Sequence, residues 1–237
     1  MRRGTLPVLF LVVAIVSGAG AAAGQEAVAV MAPLAPKSLL LDAARAGGRI
    51  VAVGERGHIL LSSDSGGSWR QVAAPTQATL TAVHFFDDRL GWAVGHDAVI
   101  LRSGDGGESW ERVNFDPETG TPLFDVYFTD VDHGFAIGAY GLFLESADGG
   151  RSWHGVATGT DVMLTDACRL ADGRIIVSGL GGVLLSSGDG GRTFTVHAQP
   201  DRRGISAVVA APDGGVVLVG EFGVRKLPAG ALAETSR

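Results

Sequence analysis

Apolar residues in this chain arrive in short runs, each cut off by a glycine or a polar turn. Between Leu80 and Phe115 four runs succeed one another, "LTAVHFF", "GWAVG", "AVILRS" and "SWERVNF". Runs this short, rich in Val, Ile, Leu and aromatics and bounded by turn residues, are the signature of strands. Helix formers are not organised into long amphipathic stretches. The pattern predicts an all-β chain built from four-stranded units.

The unit repeats. Its central part reads "VAVGERGHILLSS", "WAVGHDAVILRS", "FAIGAYGLFLES", "IVSGLGGVLLSS" and "VLVGEFGVRKLP", and the glycines Gly54, Gly95, Gly138, Gly179 and Gly220 stand 41, 43, 41 and 41 residues apart. After the first four comes an acidic turn: "SSDSGGSW" with Asp64 and Trp69, "SGDGGESW" with Asp105 and Trp110, "SADGGRSW" with Asp148 and Trp153, and "SGDGGRTF" with Asp189 and Phe194. The fifth repeat lacks it. A period of this length is that of propeller blades. The expected fold is therefore a β-propeller of four-stranded blades, five in number, over about residues 38–75, 76–116, 117–158, 159–199 and 200–230. The fifth repeat supplies about three strands, and residues 26–35, "EAVAVMAPLA", precede the first without a blade of their own. They are expected to add the missing outer strand of the last blade, tying the ends of the ring together and removing an open edge.

Composition sharpens this picture at a few points. The 36 glycines among 237 residues are spread along the chain, as many tight turns require. Residues 1–23 read as an export signal: Arg2 and Arg3, the apolar run "LPVLFLVVAIV", then small residues with an A-x-A site at Ala21–Ala23. Cleavage would leave residues 24–237 as a single propeller domain, exported to the periplasm, or to the thylakoid lumen in a photosynthetic source. The whole chain carries a net charge of −6, and loss of Arg2 and Arg3 makes it more acidic. Counterion release needs a basic face, so nucleic acid is an unsuitable partner. Cys168 is the only cysteine, so no disulfide forms within the chain. It is read as a buried small residue.

In the acidic turn each residue has a structural task. The carboxylate accepts hydrogen bonds from turn N–H groups. The paired glycines supply positive φ. The hydroxyl bonds back across the turn, and the aromatic opens the next strand and packs between blades. One carboxylate per turn makes neither a metal cage nor a nucleophile. A second acid nearby is suggested only by "TDVDHG", Thr129–Gly134, which reads more simply as a turn. No metal and no cofactor are expected.

These strings resemble the Asp-box of bacterial neuraminidase repeats, S-x-D-x-G-x-[ST]-[WF]. The longer unit "GWAVGHDAVILRSGDGGESW", with "FFDDRLGWAVG" and "FTDVDHGFAIG" before it, resembles the repeat of the photosystem II stability/assembly factor family over about residues 38–226. The resemblance implies a lumenal or periplasmic, non-catalytic propeller that helps assemble or stabilise a membrane-protein complex in photosynthesis, holding that complex or another envelope protein as its partner. The chain is shorter than expected of the photosynthetic members, which form larger rings. Similar proteins are widespread in non-photosynthetic bacteria.

A repeat motif describes the blade and not the site. The turns between the second and third strands lie at the end of the blade opposite the acidic turns. They vary between fixed glycines: Glu55 and Arg56, His96 and Asp97, Ala139 and Tyr140, Leu180 and Gly181, Glu221 and Phe222. Variation on a constant scaffold suits a binding face, and solvated loop tips would look the same. Two classes of function compete. One is a protein-binding module that uses this mouth, with surface arginines such as Arg202 and Arg203. The other is a sialidase-like glycoside hydrolase working with the mouth carboxylates Glu55, Asp97 and Glu221, which needs two of them about 5–10 Å apart. Only Tyr127 and Tyr140 are available as a tyrosine nucleophile, and no arginine motif of the sialidase kind precedes the first blade.

Overall fold

A computed structural model of the protein describes residues 27–232. The expected export signal lies outside the described residues. The chain forms five antiparallel sheets in sequence order, a β-propeller of five blades. Blade one contains β1 (Leu40–Ala46), β2 (Arg49–Gly54), β3 (Ile59–Ser62) and β4 (Arg70–Val72). Blade two contains β5 (Leu80–Phe85), β6 (Gly91–Gly95), β7 (Ile100–Ser103) and β8 (Glu111–Asn114). Blade three contains β9 (Leu123–Phe128), β10 (Gly134–Gly138), β11 (Phe143–Ser146) and β12 (His154–Gly155). Blade four contains β13 (Leu164–Arg169), β14 (Ile175–Gly179), β15 (Val183–Ser187) and β16 (Thr195–Ala198). Among the described residues blade five contains three strands, β17 (Ile205–Ala210), β18 (Val216–Gly220) and β19 (Gly223–Leu227).

The recurring glycine at the end of each second strand has a steric cause. A Cβ on Gly54 would lie 2.1 Å from the Leu39 carbonyl oxygen, and one on Gly95 2.1 Å from that of Thr79. Each inner strand is irregular at its second residue, as between Leu40 and Asp42 or Leu80 and Ala82. In blades two and four that residue is a threonine whose hydroxyl reaches the next blade: Thr81 donates to the Leu123 carbonyl and Thr165 to that of Ile205, both at 2.7 Å.

The core lies between blades. Val51, Val53, Ile59 and Leu61 of blade one pack on Val83 and Trp110 of blade two. Trp153 packs against Phe128 and the apolar side chains of blade two, and Phe194 meets Phe143 edge-on across the third seam. The aromatics of the second, third and fourth acidic turns thus face the preceding blade, as expected from their place ahead of the outer strand. Burial of these side chains is the main favourable contribution to the fold.

Inner strands pack in succession, β1 on β5, β5 on β9, β9 on β13 and β13 on β17, and no comparable packing joins β17 to β1. The N-terminal segment corrects an expectation. It adds no strand to blade five and lies instead on blade one. Ala29 N–H donates to the Ala74 carbonyl at 2.9 Å, and the Gln71 side chain accepts from Ala32 N–H and donates to the Val30 carbonyl. The reason is the exposed side of blade one. Ala52, Leu60 and Trp69 point away from blade two, and Ala32, Ala35 and Leu40 cover them. Pro33 and Pro36 suit a strap and oppose a ladder, since proline lacks the N–H.

Candidate functional site

The acidic turns form one hydrogen-bonded arrangement repeated four times. In the first, Ser62 Oγ donates to Asp64 Oδ1 and accepts from Gly66 N–H, both at 2.8 Å. Ser68 donates to Asp64 twice, from its N–H and from its hydroxyl at 2.7 Å. Asp105 with Ser103 and Ser109, Asp148 with Ser146 and Ser152, and Asp189 with Ser187 and Thr193 repeat it. Donated hydrogen bonds favour the ionised form. The Ser68 hydroxyl and N–H hold Asp64 down to about 2, and those of Thr193 hold Asp189 at about 2. Both oxygens of each carboxylate already accept hydrogen bonds from their own turn. Among the described residues no group of three or more His, Cys, Asp or Glu is placed to hold a metal ion.

At the other end, the mouth turns are also built alike. Glu55, His96, Ala139, Leu180 and Glu221 each donate an N–H to a carbonyl just ahead of the blade's inner strand, from Leu39, Thr79, Pro122, Met163 and Gly204. In four blades the next residue is left-handed: Arg56 at φ 56°, Asp97 at 58°, Tyr140 at 55° and Gly181 at 67°. A left-handed conformation is uncommon outside glycine, so three side chains are held outward on a strained turn. Tyr140 is 76% exposed. Arg56 and His96 are exposed, and Asp97 is half-buried with its carbonyl accepting from Asp116 N–H.

The fifth mouth turn is different. Phe222 is half-buried against the blade-four core, with the Arg225 guanidinium 4.3 Å over its ring. The Glu221 carboxylate accepts from Gly204 N–H at 2.9 Å, and that of Glu55 from Leu39 N–H at 3.3 Å. These two carboxylates are held by their own blades. A cavity beside the mouth of blade one is lined by Arg56, His58, Val30 and Leu34 and by none of Glu55, Asp97 and Glu221. Arg202 and Arg203 are exposed on the linker into blade five.

Two groups of residues were not singled out by the sequence. The first is a set of inner-strand carboxylates at the third strand position, Asp42, Asp125 and Asp166. Asp42 accepts from Val83 N–H and Asp166 from Val208 N–H, each at 2.8 Å and each across a seam. Asp125 is half-buried beside Asp166, and loss of solvent with that neighbouring charge pushes its carboxyl up to about 7. Burial raises Asp166 as well. Cys168, two residues on, is half-buried, and burial pushes its thiol up to about 11, which makes it unreactive.

The second group is a set of arginine clasps at the acidic-turn end. Arg49 Nη1 donates to the Asp105 carbonyl at 2.9 Å, joining blades one and two. Arg102 Nε donates to the Gly149 carbonyl at 2.8 Å, joining blades two and three. Arg174 Nη1 donates to the Leu232 carbonyl at 3.1 Å, where the C-terminal residues stand in for the turn that blade five lacks. A cavity of about 210 Å³ lies between blades three and four at this same end.

Comparison with known proteins places this architecture. The family model described as Photosynthesis system II assembly factor YCF48 matches residues 61–121 and 114–196, more than half of the chain. The photosystem II assembly lipoprotein Ycf48 of Prochlorococcus marinus is 40% identical over 48 residues, 20% of this chain and 14% of that protein. The chloroplastic photosystem II stability/assembly factor HCF136 of Cyanidioschyzon merolae is 40% identical over 53 residues, 22% of this chain and 12% of that protein. The solved structure of YCF48 from Cyanidioschyzon merolae superposes with a TM-score of 0.65 at 21% identity, covering 84% of this chain and 70% of that one. A structure of YCF48 bound to D1 peptide gives 0.63 at 19% identity, covering 79% and 62%. An ancestral GH74 enzyme shares the fold alone, at 16% identity over 31% of its length. The chain belongs to the Photosynthesis system II assembly factor YCF48 family.

Proposed function

We propose that this protein is an exported, non-catalytic propeller that binds a membrane-protein partner during assembly or upkeep of its complex, in the periplasm or a thylakoid lumen. Family membership carries this reading, together with a structural relative that was solved with a peptide of D1. The mouth supports it. Arg56, Asp97 and Tyr140 stand on identical left-handed turns and differ in chemistry from blade to blade, which suits recognition of an irregular protein surface. The acidic turns are committed to the fold and contribute no chemistry. The hydrolase reading is weaker, because Glu55 and Glu221 are each tied to a backbone N–H of their own blade. In a pull-down from the native envelope, the mature protein is expected to retain a membrane protein. A double variant Arg56→Ala, Tyr140→Ala is expected to lose it while unfolding at the same temperature. Turnover of a glycoside panel with no partner recovered would reverse the assignment.

A further inference from the structure

The seams between blades show one construction with a single gap. Three seams are closed at the acidic-turn end by an arginine from the earlier blade that donates to a backbone carbonyl of the later one. Two positions supply it. One lies five residues before the glycine that ends the second strand and holds Arg49, Leu90, His133 and Arg174 in blades one to four. The other precedes the turn serine and holds Leu61, Arg102, Glu145 and Ser186. Blade three has an arginine at neither. His133 is held by Asp130 at 3.0 Å within its own turn, and Glu145 is a carboxylate with no hydrogen-bond or ion-pair partner among the described residues. Both line the 210 Å³ cavity, together with Asp189 and Gly190 of the next acidic turn. In the second and third acidic turns, the carbonyl of Asp105 and, one turn position further on, that of Gly149 accept the clasping guanidinium. The fourth turn receives no such donor among the described residues.

We infer that the groove between blades three and four is a binding site for an arginine side chain supplied by a partner protein. The incoming guanidinium would take the place that Arg102 occupies one seam earlier. It would donate to the carbonyls of the fourth turn and pair with Glu145, whose carboxylate stands where the internal clasp would begin. A planar guanidinium suits this geometry because it offers several donors in a fixed fork. Arg169 and Arg192 also border the groove, both largely exposed, so a carboxylate ligand is the competing chemistry. The repeat favours the cation, since the sister seams are occupied by one.

The test is titration of the isotope-labelled mature protein with N-acetyl-arginine amide, followed by backbone amide shifts. Saturable shifts at Glu145, Gly190 and Ser146 are expected, absent with the neutral citrulline analogue. Glu145→Gln is expected to weaken binding by roughly tenfold or more, as for loss of a charged hydrogen-bond partner. Glu145→Arg is expected to close the seam from within, abolishing binding and raising the unfolding temperature. Equal shifts from citrulline, stronger binding of N-acetyl-glutamate amide, or undiminished arginine binding in both Glu145 variants would each overturn the site. The proposal takes only the source of the guanidinium from the function above. The small probe reports on the groove itself, so its result is independent of partner capture.

Discussion

In the first blade Val51, Val53 and Ile59 are completely buried against the second blade. The residues at the same ladder positions in the fifth blade are Val217, Val219 and Val224, and there Val219 is 39% and Val224 73% exposed, with Val209 beside them at 56%. The difference lies in how each outer face is covered. Among the described residues nothing comparable covers the far side of blade five, whereas the outward side of blade one is covered by the chain's own residues 32–37. A terminal repeat must hide or polarise the face its neighbour would cover. Among the described residues one outer face is covered in this way and the valines of the other stay exposed.

The comparison can be tested by removing apolar groups on the two outer faces. Leu60→Ala empties a site beneath the N-terminal strap and is expected to cost about 2–5 kcal/mol, the range for a buried leucine, read from the urea midpoint. A loss below about 1 kcal/mol would mean that the strap is not packed as described.

Between the two ends lies the seam of blades three and four, which holds Asp125 and Asp166, and this seam is expected to depend on pH. A carboxyl raised to about 7 gives stability that is complete below its unfolded value and is lost as pH rises through about 7. The unfolding midpoint should therefore fall between about pH 5 and about pH 8 in the native protein and fall less in Asp125→Asn, where the raised Asp166 remains. Hydrogen exchange at the higher pH should quicken in the seam between blades three and four and leave blade one unchanged. A native profile as flat as that of the variant would remove the raised carboxyl from the account.

Arg174→Ala releases the tail that stands in for the fifth acidic turn, and a loss of about 1 kcal/mol is expected, with faster exchange in β17 and β18 and none in blade one. The smallest effect belongs to the bare face. Val219→Ser should change stability by no more than about 0.5 kcal/mol. A drop like that of Leu60→Ala would show that a partner or a second copy covers the valines in solution.

Blade number, strand order and the task of the acidic turn were legible because each rests on a residue type that recurs at a fixed interval. Gly54 and its four counterparts recur because a carbonyl occupies the space of a Cβ. The mouth was legible in position and not in conformation, since nothing in Arg56, Asp97 or Tyr140 announces a positive φ. The strap was misplaced because residues 26–35 had no blade of their own and the fifth repeat was a strand short, although Pro33 and Pro36 already opposed a ladder. Asp42, Asp125 and Asp166 share one strand position and could have been found by aligning the inner strands. The arginine clasps could not be found in that way. They occupy two different positions, so no period marks them, and only the fold shows Arg49, Arg102 and Arg174 doing the same work.

The strap has a consequence for the order in which the molecule forms. Residues 28–32 bond to Gln71, Ala74 and Gln77, all within about fifty positions of chain. A strand completing the last blade would instead have to wait for the final repeat, with a loop of nearly two hundred residues to close. Short-range contacts assemble faster than long-range ones. The first blade with its strap is therefore equipped to fold while the rest is still being made, and each later blade finds a finished surface on which to add.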